Sequence, residues 1–190
     1  MVQTTKAAEL LQLAAATVGQ GASSGTTGPY ARLIATSEAD ARDAAKLRDL
    51  LRMSGCGLTV RGWLQRAGVW APRLLAPYRI GAAVADVVAL AREAGAWMPA
   101  TGSTRFRAGD LFLIAAPEHI GIIEGEQAGS LQTIDGGARD AQGLQVIARH
   151  ARPISRTRAG VMLGGRPLIG TIDSARLIAH HQRPTMEPVS

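Results

Sequence analysis

The hydrophobic period of this chain changes once, between residues 103 and 111, and that change limits the folds open to it. Before it, apolar residues recur at helical spacing. Leu10, Leu11, Ala14, Ala15 and Val18 form one such face, Ala44, Leu47, Leu50 and Leu51 a second, and Val84, Val87, Val88 and Ala91 a third. These predict helices over 6–18, 38–53 and 80–94, with a Gly/Ser/Thr loop over 20–29 and a short turn or helix at 30–34. After the change come short apolar runs bounded by Gly and Asp: Leu111–Ala115, His119–Ile123 and Leu131–Asp135, with Leu144–Ala148 and Gly160–Leu163 as further strands. Helices first and strands afterwards predict an α+β domain, its helical half packed on an antiparallel sheet. The 190 residues suffice for one domain with a full core. We assign residues 1–170 to that domain and 171–190 to a C-terminal extension, partly frayed at its proline-containing end.

The only cysteine opens a further helical stretch. Cys56, Val60, Trp63, Leu64 and Ala67 fall on one helical face, Ser54 stands where an N-cap is expected, and Gly68 where a helix ends. A thiol in the first turn meets the positive end of the helix dipole, which favours the nucleophilic thiolate. The competing reading is inert packing, the commoner fate of a lone cysteine. One cysteine excludes an internal disulfide and a cysteine-based zinc site. The four histidines lack metal-ligand spacing, so neither metal nor other cofactor is expected.

A hairpin brings the next two groups together. If the turn Gly125–Gly129 is symmetric about Gln127, Ile123 opposes Leu131, Gly121 opposes Thr133, and His119 opposes Asp135. Directly opposed residues have Cβ atoms about 4.5–5.5 Å apart. An imidazole held by a carboxylate through one nitrogen can present the other to a thiol, the logic of an orienter, a base and a nucleophile.

Several segments, in order, resemble the CHAP and NlpC-type cell-wall hydrolases, which are papain-like cysteine amidases and endopeptidases. They are Cys56-Gly-Leu-Thr-Val with Leu64-Gln-Arg-Ala-Gly-Val, Phe106-Arg-Ala-Gly-Asp-Leu-Phe-Leu, His119-Ile-Gly-Ile-Ile-Glu-Gly, and Thr133-Ile-Asp135-Gly-Gly. The similarity spans roughly residues 7–170. Asp135 stands for the family's usual Glu, Gly137 for its Asn, and Ala108 for its Pro before Gly-Asp. The resemblance implies a papain-like fold with Cys56 as nucleophile, His119 as base and Asp135 as orienter. The backbone N–H of Cys56 and Tyr30 would then bind the oxyanion. It implies a peptidoglycan amide as substrate, within the stem peptide or at the sugar lactyl group, for a phage lysin or a secreted antibacterial effector. Two alternatives stay open: a cysteine hydrolase of another protein or small amide, and a non-catalytic basic binding module.

Net charge is +6, and six arginines against one acid lie between Arg139 and Arg166. Such a segment attracts anionic polymers, peptidoglycan among them. No aromatic residue interleaves with it, which argues against a nucleic-acid stacking platform. No apolar run reaches the length of a membrane span. Leu10–Val18 reads as a domain helix and not a signal peptide. Synthesis in the cytoplasm followed by delivery to the cell wall is therefore expected, with a delivery machine or a cognate inhibitor as conceivable partners.

Overall fold

The computed structural model describes residues 5–35, 42–52, 55–76, 82–115 and 118–182. Ser54, residues 38–41 and 53 of the second expected helix, residues 80–81 of the third, and 183–190 of the tail lie outside the described residues.

The helical half comprises α1 (Lys6–Ala15), α2 (Pro29–Ile34), α3 (Ala44–Arg52), α4 (Cys56–Arg66), α5 (Pro72–Leu75) and α6 (Ala82–Glu93); α7 (Ser174–His181) follows the strands. The centre is α4. Its apolar face was expected to be one side of the helix, yet every residue from Cys56 to Leu64 is buried. Leu58, Val60, Trp63 and Leu64 have no solvent exposure, and each such burial stabilises by about 1.5–3 kcal/mol. Trp63 Nε1 donates to Thr17 Oγ1 at 3.0 Å, and Thr17 Oγ1 donates to the Ala14 carbonyl, so the indole dipole is satisfied inside the core. Gly68, at φ +91°, ends the helix, its N–H donating to the Gln65 carbonyl.

The strands are β1 (Trp97–Pro99), β2 (Leu111–Ile114), β3 (His119–Gln127), β4 (Ser130–Arg139), β5 (Gln145–Thr157), β6 (Gly160–Leu163) and β7 (Arg166–Ile172). They pair antiparallel in the order β1-β7-β2-β3-β4-β5-β6, and β6 also pairs with β7. That last pairing corrects the expected fold. The papain-like arrangement of helices on an open antiparallel sheet does not form; six strands close into a barrel with β1 as an extra strand. The cause lies in β5, which is 13 residues long. Its first part, Gln145–Pro153, pairs with β4, and its second, Ile154–Thr157, pairs with β6. The β6–β7 hairpin then carries the chain back to β2. Closure removes the open edges that such a sheet would expose. β7 runs through residue 170, and α7 buries Leu177 and Ile178. Ser174 Oγ donates to the Gly109 carbonyl at 2.7 Å, fastening α7 to the start of β2.

The closed sheet divides the apolar interior in two. Leu111, Leu113, Ile120, Ile122, Ile134 and Ile147 pack against the helices. Phe112, Ile114, Ile123, Leu131, Val161, Leu163 and Leu168 fill the barrel.

The β3–β4 hairpin has a different register from the symmetric one expected. Ala128 and Gly129 both have positive φ, 49° and 73°, and Gln127 pairs with Ser130, so the turn has two residues. Between Ile123 and Gly125 the register shifts, leaving Glu124 as an extra residue. Beyond it Ile123 pairs with Thr133 and Ile122 with Ile134, which sets Asp135 opposite Gly121. His119 therefore meets Asp135 diagonally.

Candidate active site

Cys56 is the first residue of α4 and is 3% exposed. Gly55 takes the N-cap position without a side-chain cap bond, so nothing from its own side chain blocks the helix end. The helix start seats closely on β4 because position 136 is glycine: a Cβ there would overlap the Thr59 hydroxyl. The next strand over gives His119, whose side chain is 16% exposed, and Gly121 leaves room beside it, since a Cβ at 121 would come within 2.7 Å of the Asp135 Cβ.

Asp135 is 1% exposed and fully engaged. Its Oδ2 accepts from His119 Nε2 at 2.6 Å and from Arg152 Nη2 at 2.7 Å; its Oδ1 accepts from the Thr133 hydroxyl at 2.9 Å. Burial alone would raise its pKa, but the His119 hydrogen bond and the charges of Arg152, His119 and His150 outweigh that and hold it below the ordinary carboxylate value. For His119, burial favours the neutral ring, yet hydrogen bonds to Asp135 and Cys56, with the charges of both, push its pKa up to about 9. Since Nε2 is committed to the carboxylate, Nδ1 is the nitrogen left for Cys56.

Tyr30 and Gln145 lie beneath the start of α4, against Gly55, where any Cβ would meet both side chains. The Tyr30 hydroxyl donates to Gln145 Oε1 at 3.2 Å. Burial raises the pKa of that hydroxyl; the Thr59 hydroxyl opposes the shift and the charge of Cys56 adds to it. Gln145 is 1% exposed, and its Nε2 donor has no hydrogen-bond partner. A buried donor without a partner is costly and rare, and this one belongs to a side chain that lies against Gly55, the residue before Cys56.

The structure thus brings Cys56, His119, Asp135 and Tyr30 into one neighbourhood and adds residues that sequence reasoning missed. Arg152 was read as part of a surface patch. It is 15% exposed, donates to Asp135, and stacks over Phe112 at 5.5 Å. The one available signal was its place on the alternation of β5, two residues from His150, which pairs with Thr133. Gln145 carried no signal, because its partner Tyr30 is 115 positions away.

Other arginines of the 139–166 segment also have partners. Arg149 Nε donates to both Glu124 oxygens at 2.9 and 3.1 Å. Arg156 donates to the Thr104 carbonyl at 2.7 Å, lies 3.7 Å from Glu126, and stacks over Phe106 at 5.3 Å. Arg139 donates to the Gly143 carbonyl and Arg166 to that of Ala115.

Among the described residues no cluster of three or more His, Cys, Asp or Glu is arranged to hold a metal ion, and no helix is long and apolar enough to cross a membrane. No protein-family model, curated protein or solved structure matches this chain.

Proposed function

We propose that this protein is a cysteine-dependent amide hydrolase. The observation that carries the reading is the His119 imidazole, hydrogen-bonded to Asp135 on one side and to Cys56 at a helix start on the other. An imidazolium and a helix N-terminus both favour the thiolate. The Cys56 sulfur attacks the amide carbonyl carbon. The resulting oxyanion is held by the backbone N–H of Cys56 and by the unpartnered Nε2 of Gln145, which Tyr30 orients. The C–N bond breaks as His119 gives its Nδ1 proton to the leaving amine, forming a thioester. His119 then takes a proton from water, the hydroxide attacks the thioester, and the C–S bond breaks to release a carboxylate. Asp135 stays ionised throughout.

The motif resemblance to the CHAP and NlpC-type hydrolases supports a peptidoglycan amide as substrate, with the enzyme acting on the cell wall after delivery. The net charge of +6 supports retention on an anionic wall. Digestion of purified peptidoglycan, with products identified by mass spectrometry, should yield fragments cleaved at one type of amide bond, and none with Cys56→Ala. The burial of Cys56 favours the competing packing reading. Iodoacetamide separates the two: fast labelling that slows in His119→Ala supports the nucleophile, and no labelling without denaturant refutes it.

A further inference from the structure

A groove of about 280 Å³ runs along α6 on the helical side of β2 and β7. One end lies beside the proposed reaction centre. Val84 lines the groove and also packs on Gly57, the residue after Cys56, where a Cβ would come within 3.0 Å of the valine Cγ2. Glu118, immediately before His119, also lines the groove. The other end is made by Trp97 and Arg92, with the guanidinium 5.7 Å above the indole ring. Between them the walls are aliphatic: Val88 from α6, the buried Leu113 of β2, and Ile169, the residue skipped where the pairing of β7 with β2 shifts register.

The two charged residues that line the groove, Glu118 and Arg92, are exposed, and neither has an ion pair among the described residues. From Val84 to Arg92 the helix advances about 12 Å at 1.5 Å per residue. An extended peptide rises about 3.3 Å per residue, so the groove matches about three or four residues. A chain lying in it with its C-terminal carboxylate on Arg92 would place its N-terminal nitrogen near Glu118 and His119. That nitrogen is the one His119 protonates when the amide breaks, and the ammonium that forms would face the Glu118 carboxylate.

We infer that this groove holds the leaving-group side of the substrate: a segment of about three residues with small aliphatic side chains, ending in a free carboxylate that Arg92 binds. The inference rests on the hydrolase reading and adds its substrate class. Amide bonds about three residues from a free C-terminus are the ones the enzyme takes.

Binding is measured on the Cys56→Ala protein by NMR titration, so that turnover plays no part. The probes are tri-alanine, its N-acetyl derivative and its C-terminal amide. Tri-alanine should bind about tenfold more tightly than the C-terminal amide, with shifts centred on α6 and the Trp97 indole. Arg92→Gln should erase that difference and Arg92→Lys should restore part of it. Glu118→Gln should erase the preference over the N-acetyl form. Equal affinity for acid and amide, or a preference that survives Arg92→Gln, overturns the groove assignment. Turnover is read separately on N-blocked peptides carrying one to five alanines after the scissile bond. Absence of any Cys56-dependent cleavage defeats the hydrolase reading, whereas cleavage indifferent to the C-terminal carboxylate defeats only the groove.

Discussion

The helical side of the β3–β4 ribbon and its barrel side are built from different forces, and the candidate site spans both. On the helical side, α4 buries nine consecutive residues, and the site's share is the thiol, Tyr30 and Gln145. Stability there comes from removing apolar area from water, which salt and pH change little. On the barrel side, charged groups hold the site. Asp135 takes three donors, Arg152 bridges it to the Phe112 ring, and Arg156 reaches Glu126 and the Phe106 ring. The contrast assigns rigidity of the nucleophile to packing and orientation of the base to electrostatics. The two halves should therefore fail in different ways.

The largest separation is expected from Cys56→Ser. Hydrolysis should fall to background, a loss on the order of 10⁴-fold or more, while thermal unfolding stays close to wild type because volume is kept. Next, Asp135→Asn should lower kcat by about 10²–10⁴-fold, since the amide cannot stabilise the imidazolium. It should also cost about 1–3 kcal/mol by leaving Arg152 without its charged acceptor. Leu64→Ala, by contrast, should cost about 2–5 kcal/mol with the same value at low and high salt. Salt dependence in that variant would break the comparison.

A pH series sharpens it further. The folded pKa of His119 is about 9, above its ordinary value of about 6.5. Its stabilising contribution is thus fully present below about pH 6.5 and disappears as pH rises through about 9. The Asp135 pKa is lowered, so its contribution is present above about pH 3.9 and disappears as pH falls below that. Chemical denaturation should show stability falling between pH 6.5 and 9, and His119→Gln should flatten that limb. The smallest effect belongs to Arg149→Gln. That guanidinium is 55% exposed, and loss of its pair with Glu124 should change stability by about 0.2–1 kcal/mol, vanishing at high salt.

What could be read in advance followed the same division. The α4 helix announced itself through apolar spacing and a terminal glycine, because burial leaves a periodic mark. The barrel side did not. Closure depends on the second part of β5, Ile154–Thr157, which with Arg152 and Arg158 on either side and Arg156 within it looks like a solvated surface, and on β7, whose pairing with both β6 and β2 is a property of the whole sheet. Ala128 hid the turn, since alanine is not a residue expected at positive φ. Arg152 and Gln145 owe their places to strand register and to a partner far along the chain, neither of which a local pattern records.

Glu124 carries a consequence of a different kind. Without that one surplus residue, the pairing set by the turn would continue and bring Asp135 opposite Ile122, whose side chain faces the helices. The acid and the base would then stand on opposite sides of a wall. The spacing along this hairpin behaves like a reading frame with a period of two. What occupies position 124 matters little to the frame, but its presence is obligatory. Lineages of this chain should accept almost any substitution there while rejecting single deletions between His119 and the turn, and a paired insertion should be tolerated where a single one is not.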